Sequence, residues 1–212
     1  LHKMIKGITA LPKLQEWGYT VHVVKSKYDY ITIFHKVIQR SKVPGRNGMI
    51  YGFPMSGRCS LNSPCKVPPI NKFAKENQYT TNICGIAIDE PKRLERLHKK
   101  GNCRSYLEEY NLTEKDAYEL CKQYDLLSPI YTNLSRGGCW FCPNKSVAYL
   151  ARLKIYHPEL YREFDILDKT PNKSHATFCY NKPWSLYQEK VDAYIAAHPD
   201  EFNQTNISYQ EE

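Results

Sequence analysis

Cys139 and Cys142 stand at Cys-x-x-Cys spacing in the string Arg136-Gly137-Gly138-Cys139-Trp140-Phe141-Cys142-Pro143-Asn144. Two thiolates presented on one tight turn are half of a tetrahedral sulfur site. Gly137 and Gly138 can take positive φ and let the chain fold closely around a metal. Pro143 stops the backbone from continuing regularly, and Trp140 and Phe141 are expected to cover the site and exclude water. The same spacing serves redox dithiols of the thioredoxin type. That motif opens a helix, whereas here glycines precede the pair and a proline follows. The pattern favours a metal.

A thiolate pair needs two more ligands, and Cys59 and Cys65 are the candidates. They flank Ser60-Leu61-Asn62-Ser63-Pro64 and sit beside Arg58 and Lys66, cations that favour the ionised thiol. Four thiolates suit either Zn²⁺ or a 4Fe–4S cluster, and spacing does not separate the two. The competing reading leaves Cys59 and Cys65 as unpaired loop thiols. Cys84 and Cys121 fall on apolar faces of expected elements and read as core. Cys103, beside Arg104, has no base at fixed spacing, and Cys179 is a weaker alternative ligand.

The elements that must position these residues come from a chain of 212 residues, 42% hydrophobic and 13% aromatic. That is enough for one sizeable core with a smaller appended unit. Thirty Lys and Arg against 22 Asp and Glu give +8, which points to an anionic partner: nucleotide, nucleic acid or sulfate. No apolar run approaches the roughly 20 residues of a membrane span, and the first residues lack a secretory apolar segment. Eight cysteines in a chain this long read as reduced thiols in a cytoplasmic protein. The chain begins at Leu1 rather than Met, so an upstream segment is expected.

Strands are expected over residues 20–24 and, most strongly, over 79–88 (Tyr-Thr-Thr-Asn-Ile-Cys-Gly-Ile-Ala-Ile). Helices are expected over 28–38, 63–75 and 92–100, over a segment that Thr113 caps, and over 146–157, 158–167 and 185–197. Residues 41–62 read as a long functional loop, because Met49, Ile50, Tyr51, Phe53 and Met55 are too apolar for solvent. The expected division is an incomplete α/β domain over 1–126, followed by the Cys-x-x-Cys motif and a helical region over 127–212.

Three motifs in order carry a resemblance. Gly57-Arg58-Cys59 to Cys65-Lys66, Gly85-Ile86-Ala87-Ile88-Asp89-Glu90-Pro91-Lys92-Arg93, and Leu127-Ser128-Pro129-Ile130-Tyr131 leading into Arg136–Asn144 resemble the phosphoadenosine phosphosulfate reductase family, in a bacterial or phage-type branch. The resemblance implies an adenine nucleotide α-hydrolase-like fold of the PP-loop superfamily: a mostly parallel sheet, helices on both faces, and the nucleotide at the strands' carboxyl ends. It also implies that Asp89, Glu90 and Arg93 reach that edge. Lys66, Arg93 and Arg136 would then hold phosphate or sulfate oxygens. Asp89 and Glu90 can equally cap the following turn and helix.

The family's nucleotide loop, Ser-Gly-Gly-x-Asp-Ser, is not in this sequence, and no cysteine follows Cys179. ATP or an adenylyl sulfonucleotide is therefore expected as cofactor only with the upstream segment supplied. Two functions follow. One is an adenylyl-dependent transferase or sulfur-handling enzyme with a four-cysteine centre of Cys59, Cys65, Cys139 and Cys142. The other is a non-catalytic, metal-stabilised module that binds nucleic acid through a basic face.

Overall fold

A computed structural model describes residues 10–54, 59, 65–128, 131 and 138–202. In chain order they form α1 (Ala10–Glu16), α2 (Tyr30–Phe34), β1 (Ile50–Gly52), α3 (Val67–Glu76), β2 (Asn82–Ile83), α4 (Pro91–His98) and β3 (Cys103–Arg104). There follow α5 (Tyr106–Glu109), α6 (Glu114–Gln123), α7 (Val147–Tyr156), α8 (Pro158–Lys169), β4 (Lys173–His175) and α9 (Trp184–Ala197). Helices and short parallel strand pairs make a mixed α/β structure. The described strands form two pairs, β1 with β4 and β2 with β3.

The chain divides into two compact units. The first takes the described residues of Leu1–Lys25 and Pro68–Pro129; the second takes those of Ser26–Val67 and Ile130–Glu212. Residues 26–67 thus group with the C-terminal segment, an arrangement that no linear split of the chain provides.

In the second unit α2 starts where the Thr32 N–H donates to Asp29 Oδ1 at 2.7 Å. The helix expected to run to residue 38 ends at Phe34. Beyond it the Tyr51 N–H donates to the Lys36 carbonyl at 3.1 Å, and Val37 bridges antiparallel to Ile50. β-Branched Val37 and Ile38 are taken by a ladder rather than a helix. β1 then pairs in parallel with β4, Ile50 opposite Lys173 and Gly52 opposite His175. Gly52 has φ +80°, and a Cβ there would lie 2.4 Å from the His175 carbonyl oxygen, so the close approach requires glycine. Phe53 turns into the core, which explains why this loop is so apolar.

That core is aromatic. The Phe164 ring lies 4.5 Å from Trp184, 5.1 Å from Phe178 and 5.2 Å from Trp140, centroid to centroid. Leu150, Leu153, Leu167 and Val191 from α7, α8 and α9 fill the space around them. Each such side chain contributes about 1.5–3 kcal/mol by leaving water. The polar edge of Trp184 is satisfied: its Nε1 donates to Asp165 Oδ1 at 2.7 Å. The Ser146 hydroxyl accepts the Tyr149 N–H at 3.2 Å and caps α7.

The first unit has a smaller core of Ile86, Leu94 and Leu97, with Cys84 and Cys103 packed against it. Pro91 opens α4, and Leu94 and Leu97 point inward while Lys99 pairs with Glu95 at 2.7 Å. The strand expected over 79–88 contracts to Asn82–Ile83. The reason is Ser105, which is 1% exposed. Its hydroxyl donates to the Ile86 carbonyl at 2.6 Å and accepts the Ile86 N–H at 3.3 Å. The Ile86 N–H also donates to the Cys84 carbonyl at 3.0 Å, so a local turn and one side chain together take the groups that would have extended the ladder.

Residues 20–24 form no strand; the described chain offers them no ladder partner, and the His22 ring packs instead on Phe73 at 4.9 Å. Thr113 and Asp116 make both arms of a capping box at the start of α6, with Asp in the place usually held by Glu. α6 buries no residue, and Cys121 is half-buried rather than core. Among the described residues, no helix is long and apolar enough to cross a membrane.

Candidate metal centre

Lys66 and Cys139 are far apart in sequence, yet Lys66 Nζ lies 3.5 Å from Cys139 Sγ. The contact draws the Cys65 segment to the Cys-x-x-Cys turn. Burial pushes the Cys65 thiol up, and so do the negative charges of Asp29, Cys59 and Cys139, while Lys66 pulls it down. Charges act this way only across short distances. The Lys66 contact is the geometric link between the Cys65 segment and Cys139. Cys142 is linked to Cys139 through Tyr149, whose phenol is pushed up to about 12, first by burial and then by charge at Cys139 and Cys142.

The turn itself is closed by its backbone. The Cys142 N–H donates to the Cys139 carbonyl at 3.2 Å, and the Lys145 N–H donates to that of Cys142 at 3.2 Å. Gly138 has φ +115°, and a Cβ there would meet Lys145 Nζ at 3.6 Å. Lys145 Nζ lies 3.7 Å from the centre of the Tyr149 ring. Trp140 and Phe141 belong to a core cluster against which Cys65 and Cys139 pack. Both aromatic side chains are buried, Phe141 stacked on Tyr30 and Trp140 edge-on to Tyr30 at 5.6 Å. They root the turn in the core of the second unit.

Among the described residues, no three His, Cys, Asp or Glu side chains are grouped closely enough to hold a metal as they stand. Thiolate donors would suit a soft metal if brought together. Gathered thiolates repel each other until a cation sits among them, and a bound metal ion reverses the local pKa order.

The expected anion-binding residues are distributed differently. Arg136 lies outside the described residues. Lys66 belongs to the second unit and is engaged with Cys139; Arg93 belongs to the first and forms an ion pair with Glu90. Asp89 accepts the Glu114 N–H at 3.2 and 3.4 Å on its two oxygens and so supports the start of α6. Glu90 Oε2 accepts the Ala87 N–H at 3.4 Å. The Asp89-to-Arg93 motif thus organises its own turn and the neighbouring helix. An open cleft of about 310 Å³ between residues 22–25 and α3 is lined by no cysteine and by none of these residues.

Asp29, Tyr30, Lys145 and Tyr149 stand around the thiols and do not emerge from sequence spacing. Asp29 and Ser146 as helix caps were the one available signal, since caps place Tyr30 and Tyr149 at the first buried turns of α2 and α7. Comparison of the chain with protein-family models, curated proteins and solved structures finds no match.

Proposed function

We propose that the chain is a phosphoadenosine phosphosulfate reductase-like protein, an adenylyl-dependent transferase or sulfur-handling enzyme. Its thiols Cys59, Cys65, Cys139 and Cys142 hold a Zn²⁺ ion or a 4Fe–4S cluster. On this reading the fold is of the adenine nucleotide α-hydrolase type and the protein works in the cytoplasm. The observation that carries the proposal is the Lys66–Cys139 contact, together with the charge coupling of Cys59 and Cys139 to Cys65. It supports the gathering of two cysteine pairs that the sequence separates.

When bound, such a centre supplies a site for binding or relaying sulfur. The chain's own residues do the rest. Lys66 offsets thiolate charge, and the buried Trp140 and Phe141 hold the turn in place. Arg93, with Asp89 and Glu90 at the same turn, is the proposed contact to an anionic nucleotide or sulfonucleotide in the first unit, and Arg136 is proposed from the sequence motif alone. Binding at Arg93 requires the Arg93–Glu90 pair to open.

The test is metal and sulfide analysis of protein purified without oxygen. Cys65→Ser and Cys139→Ser should lose the metal, whereas Cys121→Ser and Cys84→Ser should keep it. A native chain free of zinc, iron and sulfide, and unable to take up either centre on reconstitution, would end the proposal.

A further inference from the structure

The net +8 is not spread evenly. Residues 26–67 contain seven Lys and Arg against Asp29 alone, so 7 − 1 = +6 of it lies there, and no Asp or Glu occurs between Asp29 and Glu76. Five of these cations, Lys27, Lys36, Arg40, Lys42 and Arg46, surround one structural feature. Among the described residues none of the five forms an ion pair. All but the half-buried Arg46 are exposed.

The feature is a pinned loop. Its base is closed by the Ile38 N–H donating to the Met49 carbonyl at 2.8 Å and the Gly48 N–H donating to the Ile38 carbonyl at 2.9 Å. Asn172 Nδ2 ties that base to the rest of the unit by donating to the Gly48 carbonyl at 3.0 Å. At the tip, the Ser41 N–H donates to Asn47 Oδ1 at 2.9 Å and the Met49 N–H to the Arg46 carbonyl at 3.2 Å. Arg40, Lys42 and Arg46 are therefore presented by an ordered turn. Tyr28 is 37% exposed, with Lys27 Nζ 5.8 Å and Lys36 Nζ 5.6 Å from its ring centre.

We infer that this loop and Tyr28 form a binding surface for single-stranded nucleic acid. Cations without an ion pair among the described residues supply phosphate contacts, and counterion release makes them effective and salt-sensitive. An exposed ring flanked by two ammonium groups offers a face on which a base stacks while its neighbouring phosphates meet the lysines. Single strands fit better than duplex, because a stacking ring needs an unpaired base. The inference is independent of the metal proposal and uses none of its cysteines.

The experiment is fluorescence anisotropy of the full chain with a short labelled oligothymidylate, across about 50 to about 200 mM salt. Arg40→Glu/Lys42→Glu should weaken binding at least about tenfold and lower the slope of log affinity against log salt by about 1.4, at about 0.7 per lost contact. Tyr28→Ala should weaken binding about tenfold while Tyr28→Phe leaves it unchanged. Lys115→Glu/Lys122→Glu on α6 makes the same charge change in the first unit and should have little effect. Circular dichroism checks folding, and Arg40→Gln/Lys42→Gln serves if the Glu variant does not fold. Equal loss in the α6 variant, full affinity in Tyr28→Ala, or tighter binding to polyglutamate, duplex DNA or phosphatidylserine vesicles would each overturn the inference.

Discussion

The ring of Tyr30 stacks on that of Phe141, centroids 3.7 Å apart and planes 10° from parallel. This contact joins the first turn of α2 to the Cys-x-x-Cys turn, which has no regular secondary structure of its own to hold it. Tyr30 is buried, and its hydroxyl has no hydrogen-bond partner among the described residues. Burial alone drives its phenol well above the ordinary range. The ring therefore stabilises while the hydroxyl does not.

Tyr30→Ala should cost about 3–5 kcal/mol in urea unfolding, as for other large aromatic deletions in cores. Tyr30→Phe should be neutral or stabilising by about 1 kcal/mol, because it removes an unsatisfied buried polar group. Loss of stability in Tyr30→Phe would mean that the hydroxyl has a partner after all.

Ser105 offers a second test, in the first unit. Its hydroxyl serves both polar groups of Ile86, and it is fully enclosed. Ser105→Ala leaves the buried Ile86 carbonyl without this donor, while the Ile86 N–H keeps the Cys84 carbonyl at 3.0 Å, and should cost about 1–3 kcal/mol. Hydrogen exchange at Ile86 should accelerate in the same variant. An unchanged exchange rate there would show that the Cys84 carbonyl alone protects this N–H.

Helices were the legible part of this sequence. Ser146, Thr113 and Pro158 announce helix starts by their own chemistry, and α6, α7, α8 and α9 lie close to where caps and apolar spacing put them. Strands were poorly legible, because β-propensity says only that a residue suits a pleated surface, not that a partner exists. Residues 20–24 have the composition and no ladder partner among the described residues; at Ile86 a local turn and a serine stand where a ladder would continue. At the site, the cysteines and Lys66 can be picked out by type and spacing. The inward turn of Trp140 and Phe141 cannot, since it depends on Tyr30 and Phe164 arriving from elsewhere in the chain. The acid-free run after Asp29 was visible in the sequence, but net charge averaged over the whole chain conceals it.

Alkaline pH should destabilise the second unit. The phenols of Tyr149 and Tyr187 are each pushed from 10.0 to about 12, chiefly by burial. The folded state then holds protons that the unfolded chain releases, so the unfolded state binds fewer. Stability is full below the unfolded value and falls as pH rises from about 10 towards about 12. Urea midpoints at about pH 9 and about pH 11 should show this loss, and Tyr149→Phe should reduce it. A midpoint independent of pH over that range would contradict the burial of both phenols.

The last prediction concerns where a metal stabilises the protein. All four proposed ligands come from residues 26–67 and 130–212, which make up the second unit. Anything that binds the folded state and not the unfolded one adds stability by mass action, about 2.7 kcal/mol at a hundredfold excess over Kd. That gain appears in the amides whose opening disrupts the site. Reconstitution with Zn²⁺, or with iron and sulfide, should therefore slow hydrogen exchange at Cys142, Lys145 and the first turn of α7. Amides at Cys84, Cys103 and Cys121 should keep their rates. Those three are half-buried thiols in the first unit and are the natural competitors for a soft metal. Protection that appears at β2 and β3 instead, and survives Cys139→Ser, would move the metal to Cys84 and Cys103. The Cys-x-x-Cys turn would then be a structural element rooted by its aromatic residues alone.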